Sequence, residues 1–156
     1  MEQVKVDSGK VKDVLQNLIE TLRDSQNGYR FGAEHAHGAE LKTFFNEESL
    51  KLGQFAGELE VEAQRLGEHD PKREGTTKGS LHRAWFELKS KLGAGDDKGV
   101  LNWIEQGEDH IKEQYKESLQ EKLPSNVIEV LDRQSQDVIR THDRVRDLRD
   151  RVKKVA

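Results

Sequence analysis

Three side chains capable of chemistry stand where the hydrophobic pattern of the chain leads inward. Glu48 occupies a position in an apolar stripe where a hydrophobic residue is expected, Glu108 lies at the margin of a later stripe, and His142 lies near the inner side of the last segment. A carboxylate that points into a core must find hydrogen-bonding or ionic partners, or its pKa must rise. These positions therefore predict a buried polar cluster.

Tyr29 and Gln26 lie on the inward continuation of the first apolar stripe. A phenol and a carboxamide can both donate hydrogen bonds to a carboxylate. We therefore expect Tyr29 and Gln26 to belong to the same polar layer as the three side chains above, and we expect that layer to fix how the surrounding segments pack.

Other kinds of chemistry have little support in the sequence. The chain has no cysteine, which excludes thiolate metal sites and cysteine nucleophiles and suits a reducing cytoplasm. The Gly-x-Ser-x-Gly elbow of hydrolases and the GxxxxGK[ST] phosphate loop are both absent. His35 and His37 lie near a turn, where an adventitious ion or plain solvation accounts for two histidines. We predict no catalytic residue.

The charge pattern argues against nucleic-acid and membrane partners. The net charge is −4, and the basic residues between Arg140 and Lys154 alternate with aspartates, without an aromatic side chain for base stacking. The chain has neither the apolar core of a secretory signal near its start nor a run of about 20 apolar residues. We therefore expect a soluble cytoplasmic protein.

The elements that position the polar cluster are helices, because apolar residues recur at three-and-four spacing along most of the chain. We predict helices at about 8–37, 39–67, 80–92, 96–122 and 124–154, within a single domain covering residues 1–156. Gly38 marks a short turn after the first helix, and Pro124 suits the first turn of the last one. The polar stretch 68–79 is predicted to be a loop.

These elements predict an all-α fold, a ferritin-like four-helix bundle in which two antiparallel helix pairs are joined by a long crossover containing the short helix. The second and third long helices are parallel in that connectivity. Counting residues from the two turns then places Tyr29, Glu48, Glu108 and His142 at about one level inside the bundle.

The sequence resembles a family of small bacterial four-helix-bundle proteins of the ferritin-like group, catalogued as a domain of unknown function. The resemblance extends from about Val11 to Arg151. It rests on the helix order, on the crossover with its own helix, and on the phrases LIETLRDSQNGYR, LKTFF, QFAGELEVEAQRLG, LHRAWFELK, IEQGEDHIKEQYKE and THDRVRDLRD.

The wider ferritin-like group holds two irons with a glutamate from each of two helices and a Glu-x-x-His motif from each of the other two. The resemblance thus implies Glu48, Glu108 and His142 as candidate metal ligands and Tyr29 as a partner behind them. The positions that would complete the Glu-x-x-His motifs hold Lys51, Ile111 and Ile139 instead. A complete di-iron centre is therefore not expected.

Two functions are compatible with these observations. The first is a non-enzymatic bundle without a metal cofactor, acting through protein contacts or in a stress response, in which the polar cluster only fixes helix register. The alternative is a degenerate metal-binding or redox bundle that holds iron or another divalent metal through Glu48, Glu108 and His142. The Gly53-x-x-x-Gly57 spacing suits either tight helix packing or a homodimer contact.

Overall fold

The computed structural model describes residues 7–67 and 97–155, with side chains described as far as residue 152. Within these ranges the chain forms four α-helices, α1 (Ser8–His35), α2 (Ala39–Arg65), α3 (Asp97–Ser118) and α4 (Ser125–Val155), and no β-strand. The predicted loop at 68–79 and the predicted short helix at 80–92 lie outside the described residues.

The helices form a bundle in which every neighbouring pair is antiparallel. Helix α1 packs against α2 and α3, and α4 packs against α3 and α2, which leaves α2 and α3 on one diagonal and α1 and α4 on the other. Helices α2 and α3 run in the same direction, so the end of α2 and the start of α3 lie at opposite ends of the bundle. The predicted all-α ferritin-like connectivity is confirmed.

Local side chains define where the helices begin and how their ends meet. The Asp7 carboxylate caps α1 by accepting hydrogen bonds from the amides of Gly9 and Lys10, which have no partner within the helix. Asp97, in the first turn of α3, accepts hydrogen bonds from the amides of His37 at 2.7 Å and Gly38 at 3.1 Å. The carboxylate of Asp97 therefore ties the turn between α1 and α2 to the start of α3.

The core is one continuous apolar cluster along the bundle axis. Its largest fully buried side chains, including two tyrosines, come from all four helices: Leu15, Leu18, Ile19, Leu22, Tyr29, Phe45, Leu52, Leu59, Leu101, Ile111, Tyr115 and Leu131. None of the described helices combines the length and the low charge needed to cross a bilayer.

Two glycines allow α1 to approach its neighbours closely. A Cβ atom at Gly28 would lie 3.1 Å from the Trp103 ring, and one at Gly32 would lie 3.1 Å from the Phe45 ring. These distances are shorter than ordinary van der Waals contacts. The two large rings therefore occupy space that a side chain on α1 would need.

Candidate functional site

The predicted polar cluster contains a direct bond between two neighbouring helices, from Tyr29 on α1 to Glu108 on α3. The Tyr29 hydroxyl donates a hydrogen bond of 2.5 Å to Glu108 Oε1. Both side chains are buried, with 2 % and 1 % of their surfaces exposed. Burial, reinforced by the neighbouring Glu108 carboxyl, raises the pKa of Tyr29 well above its usual value. The phenol therefore remains a hydrogen-bond donor.

The second oxygen of Glu108, Oε2, has no hydrogen-bonding partner among the described residues. Burial raises the pKa of Glu108 to about 8, although the bond from Tyr29 opposes the shift. Glu108 lines a small recess between α1 and α3, of about 30 Å³, together with Gly28, Trp103 and Gly107. That volume holds about two water molecules. The protonated form of Glu108 is therefore favoured at neutral pH.

Glu48, from α2, belongs to a separate cluster on the α2–α4 side of the core. Its Oε1 lies 2.7 Å from the Lys51 ammonium, and its Oε2 accepts a hydrogen bond of 3.3 Å from the Thr141 hydroxyl. The same ammonium lies 2.8 Å from Asp137 and donates to Thr141 at 3.1 Å. Lys51 therefore joins two carboxylates on two helices.

The lysine offsets part of the negative charge of this cluster. Burial raises the pKa of Glu48, and the hydrogen bond and charge of Lys51 oppose the shift. Burial alone would lower the pKa of Lys51, but its bonds to Asp137 and Glu48 outweigh that effect and raise it. The ammonium is thus a permanent cation placed between the carboxylates of neighbouring helices.

His142 turns away from Glu48, toward the boundary of α3 and α4. Its Nε2 lies 2.7 Å from Asp109 Oδ1, and its Nδ1 lies 3.2 Å from Asp143 Oδ1. One ligand atom from each of Glu105, Asp109 and His142 lies within 4.8 Å of the others. Among the described residues, these three side chains are the group that the fold brings close enough to hold one metal ion. Of the predicted ligands Glu48, Glu108 and His142, only His142 belongs to this group.

Gln26 lies on α1, on the side that faces α2. Its hydrogen bonds do not join it to Tyr29, Glu48 or Glu108. Its side-chain oxygen accepts a hydrogen bond of 3.0 Å from Arg23, and its backbone oxygen accepts one of 3.2 Å from Ser49. A Cβ atom at Gly53 would lie 2.7 Å from its amide nitrogen. The glycine on α2 therefore makes room for Gln26.

A second polar layer, which the sequence pattern did not reveal, lies nearer the other end of the bundle. The buried Tyr115 hydroxyl donates to Gln134 Oε1 at 2.7 Å, and Gln134 Nε2 donates to the carbonyl oxygen of Phe55 at 3.2 Å. Burial raises the pKa of Tyr115. Both residues occupy positions in apolar stripes, Tyr115 on α3 and Gln134 on α4. Their polar groups lie opposite each other in two antiparallel helices, and this is the sequence signal that could have predicted the bond.

The core side chains do not fit the di-iron centre that a ferritin-like fold implies. Glu108 Oε1 is already occupied by the hydrogen bond from Tyr29. Glu48 already faces the Lys51 ammonium. The third predicted ligand, His142, bonds to Asp109 instead. The four residues expected at one level thus divide into a Tyr29–Glu108 pair, a Glu48 cluster and an outward-facing histidine.

Comparison with known proteins agrees with this architecture. A structure titled as a mutant of Dps1 from Mycobacterium smegmatis superposes with a TM-score of 0.73 at 17 % sequence identity, covering 90 % of this chain and 95 % of that one. At this identity the likeness concerns the fold alone. A search of curated proteins finds no match.

One family is matched by sequence. The model of the family described as "Domain of unknown function (DUF2383)" matches residues 10–121, well over half of the 156-residue chain. The match includes nearly all of α1 and the whole of α2 and α3, and with them Tyr29, Glu48 and Glu108. The chain is a ferritin-like four-helix bundle that belongs to the DUF2383 family.

Proposed function

We propose that this protein is a non-enzymatic bundle that acts through protein contacts and holds no iron in its core. The observation that carries the proposal is the position of the Lys51 ammonium, 2.7 Å from Glu48 and 2.8 Å from Asp137. A lysine here supplies the positive charge that a metal ion would otherwise bring to these carboxylates. An incoming ion would have to displace the ammonium and also remove the proton from Glu108.

The core proposal is tested by ferrous-iron oxidation. Purified protein is mixed with ferrous iron in air-saturated buffer, and ferric iron is followed by its absorbance. We expect the wild-type protein and the Glu48→Gln variant to oxidise iron at the rate of buffer alone. A wild-type rate above that of buffer, lost in Glu48→Gln, would refute the proposal and support the metal or redox alternative through Glu48 and Glu108.

The outer face of α2 is the surface that best suits a protein contact. Leu50 is 67 % exposed and Val61 is 47 % exposed, although both are large and apolar. They lie eleven residues apart, which is about three full helical turns, so both point in nearly the same direction. The remaining positions of this outer stripe are uncharged, in a protein in which 36 % of residues are charged. They are Thr43, Asn46, Gln54, Gly57 and Gln64.

A second copy of the chain fits this stripe. If two α2 helices pack antiparallel about the point between Phe55 and Ala56, Leu50 of one copy meets Val61 of the other. Gln54 meets Gly57, where a Cβ atom would find open space. The stripe is therefore complementary to itself in both apolar contact and shape.

The flank of the stripe adds charge complementarity. The same antiparallel pairing brings the exposed Glu47 of one copy beside Arg65 of the other. The Arg65 side chain is 65 % exposed, although it also pairs with Glu62 of its own chain. Opposite charges facing each other across a polar rim favour one register and orientation of association. We therefore assign this face to a homodimer.

The dimer is tested by sedimentation equilibrium. We expect the wild-type protein to associate and Leu50→Lys to be monomeric at the same concentration. Ile139→Lys is the matched control, because Ile139 is an exposed apolar residue on α4, 41 % accessible. Glu47→Arg should weaken the dimer, and combining it with Arg65→Glu should restore it. A monomeric wild-type protein, or equal effects of Leu50→Lys and Ile139→Lys, would contradict this assignment.

A further inference from the structure

Three side chains at the boundary of α3 and α4 form a site that is separate from the core clusters. Glu105 and Asp109 stand one helical turn apart on α3, and His142 reaches them from α4. The side chains of Glu105 and His142 are 15 % and 11 % exposed, whereas that of Asp109 is 61 % exposed. We call Glu105, Asp109 and His142 the seam site. Glu105 and His142 are thus largely buried, and the Asp109 side of the site is open to solvent.

The carboxylates around His142 favour a positive charge at its ring. Both of its ring nitrogens face a carboxylate oxygen, Asp109 at 2.7 Å and Asp143 at 3.2 Å. A neutral imidazole carries one N–H and can donate to only one of them. The other nitrogen then directs its lone pair at a carboxylate oxygen, which is repulsive. Either a second proton on the ring or a metal ion between the ring and the carboxylate removes the repulsion.

The positions of the two aspartates favour the metal ion. Asp143 can accept the Nδ1 proton of His142, which is the arrangement that fixes the tautomer and ring orientation of metal-binding histidines. Nε2 is then left as a bare ligand atom directed at Asp109. Asp143 also lies 3.7 Å from the Arg146 guanidinium, which holds its carboxylate in place. The second carboxylate of the seam site, Glu105, lies on the same helix face as Asp109.

We propose that the seam site binds a divalent cation of the zinc type through His142 Nε2, Asp109 and Glu105. One nitrogen and two oxygen ligands suit zinc, which binds such atoms at about 2.0–2.2 Å. Two ligands of one ion are therefore at most about 4.4 Å apart, and the three atoms already lie within 4.8 Å. The 2.7 Å between His142 Nε2 and Asp109 Oδ1 must widen by roughly 0.7 Å to place the ion between them, because two tetrahedral zinc ligands lie about 3.4 Å apart.

One side chain of the protein competes with the ion. Arg149 forms a short ion pair with Glu105 and also bonds to Asp150 at 3.0 Å. Zinc binding must loosen the hold of Arg149 on Glu105, whereas Asp150 offers the guanidinium an alternative partner. Removing the guanidinium should therefore tighten zinc binding. A site that existed only as a hydrogen-bonded cluster would show no such gain.

The proposal is tested by isothermal titration of the chelator-treated protein with zinc chloride. We expect one equivalent of zinc to bind the wild-type protein. His142→Asn should weaken binding at least about tenfold, as should Asp109→Asn. His110→Asn is the matched control, because His110 is an exposed histidine on α3, the helix that carries Glu105 and Asp109, and this variant should bind zinc as the wild type does. Circular dichroism of each variant checks that the bundle is intact.

Two further variants distinguish zinc binding at the seam site from binding in the core. Arg149→Gln should tighten zinc binding roughly twofold or more, in line with the modest strength of a solvent-accessible ion pair. Glu48→Gln should leave binding unchanged, so the result does not depend on the core proposal. Absence of zinc binding to the wild type, or binding that survives His142→Asn, would overturn the seam site.

Discussion

Replacing Glu108 by glutamine should make the protein more stable, and increasingly so as the pH rises. Burial raises the pKa of Glu108 from 4.5 to about 8 in the folded protein. Below pH 4.5 the folded and unfolded states both carry the proton. Between 4.5 and about 8 only the folded state holds it, so unfolding releases a proton and the free energy of unfolding falls as the pH rises.

The size of the effect follows from this difference in proton binding. Each rise of one pH unit in that window lowers the free energy of unfolding by up to about 1.4 kcal/mol. Between pH 5 and pH 7 the wild-type protein should therefore lose about 2–3 kcal/mol through this one residue. Glutamine has nearly the same shape as the protonated acid, can accept the hydrogen bond from Tyr29, and does not titrate. The Glu108→Gln variant avoids the loss.

Urea denaturation at several pH values between 5 and 8 measures the effect. The variant should gain about 2–3 kcal/mol over the wild type between pH 5 and pH 7. The comparison cancels the contributions of all other groups. Glu113→Gln, an exposed change on the same helix, should show a nearly constant difference. A constant difference for Glu108→Gln would refute the reasoning, because it would mean that Glu108 binds its proton equally well in both states.

Three further predictions concern packing and charge, and each is measured by urea denaturation at neutral pH. Lys51→Met should cost about 1–3 kcal/mol, because it leaves the partly buried Glu48 without its cation and leaves Asp137 only its pair with Arg140. Gly107→Ala should stabilise the protein by up to about 1 kcal/mol, since the new methyl group meets open space, whereas Gly32→Ala should destabilise it by pushing against a phenylalanine ring. Leu131→Ala should cost about 2–5 kcal/mol, and Ile128→Ala, at an exposed position, about 0.5 kcal/mol or less. Equal effects within either matched pair would contradict these packing contacts.

The fold was largely predictable because apolar periodicity and turn residues are local signals. Three-and-four spacing identified α1, α2, α3 and α4, and the long stretch between α2 and α3 implied the crossover. The level of Tyr29 and Glu108 was also accessible, because residue counting along rigid helices translates directly into distance. Periodicity thus predicted which side chains share a level of the bundle.

The division of the polar cluster was not predictable in the same way. Helical spacing shows that Glu48 points inward, but it does not show that Lys51 folds back one turn to reach it. Long side chains bury their stems and place their charge several ångströms away from the backbone. His142 bonds to Asp109 on α3, whereas the preceding residue, Thr141, is the one that bonds to Glu48 on α2.

The two core glutamates are neutralised in different ways because their surroundings differ. Glu48 lies close enough to the α2–α4 boundary for Lys51, with 28 % of its side chain exposed, to bring an ammonium to it. Glu108 lies deeper, with 1 % of its surface exposed against 8 % for Glu48, so its ionised form would lose nearly all of its hydration. No lysine or arginine bonds to it within the described part of the chain. A proton is therefore the cation that Glu108 can hold, and this bundle balances its inward carboxylates with a lysine on one side and a proton on the other.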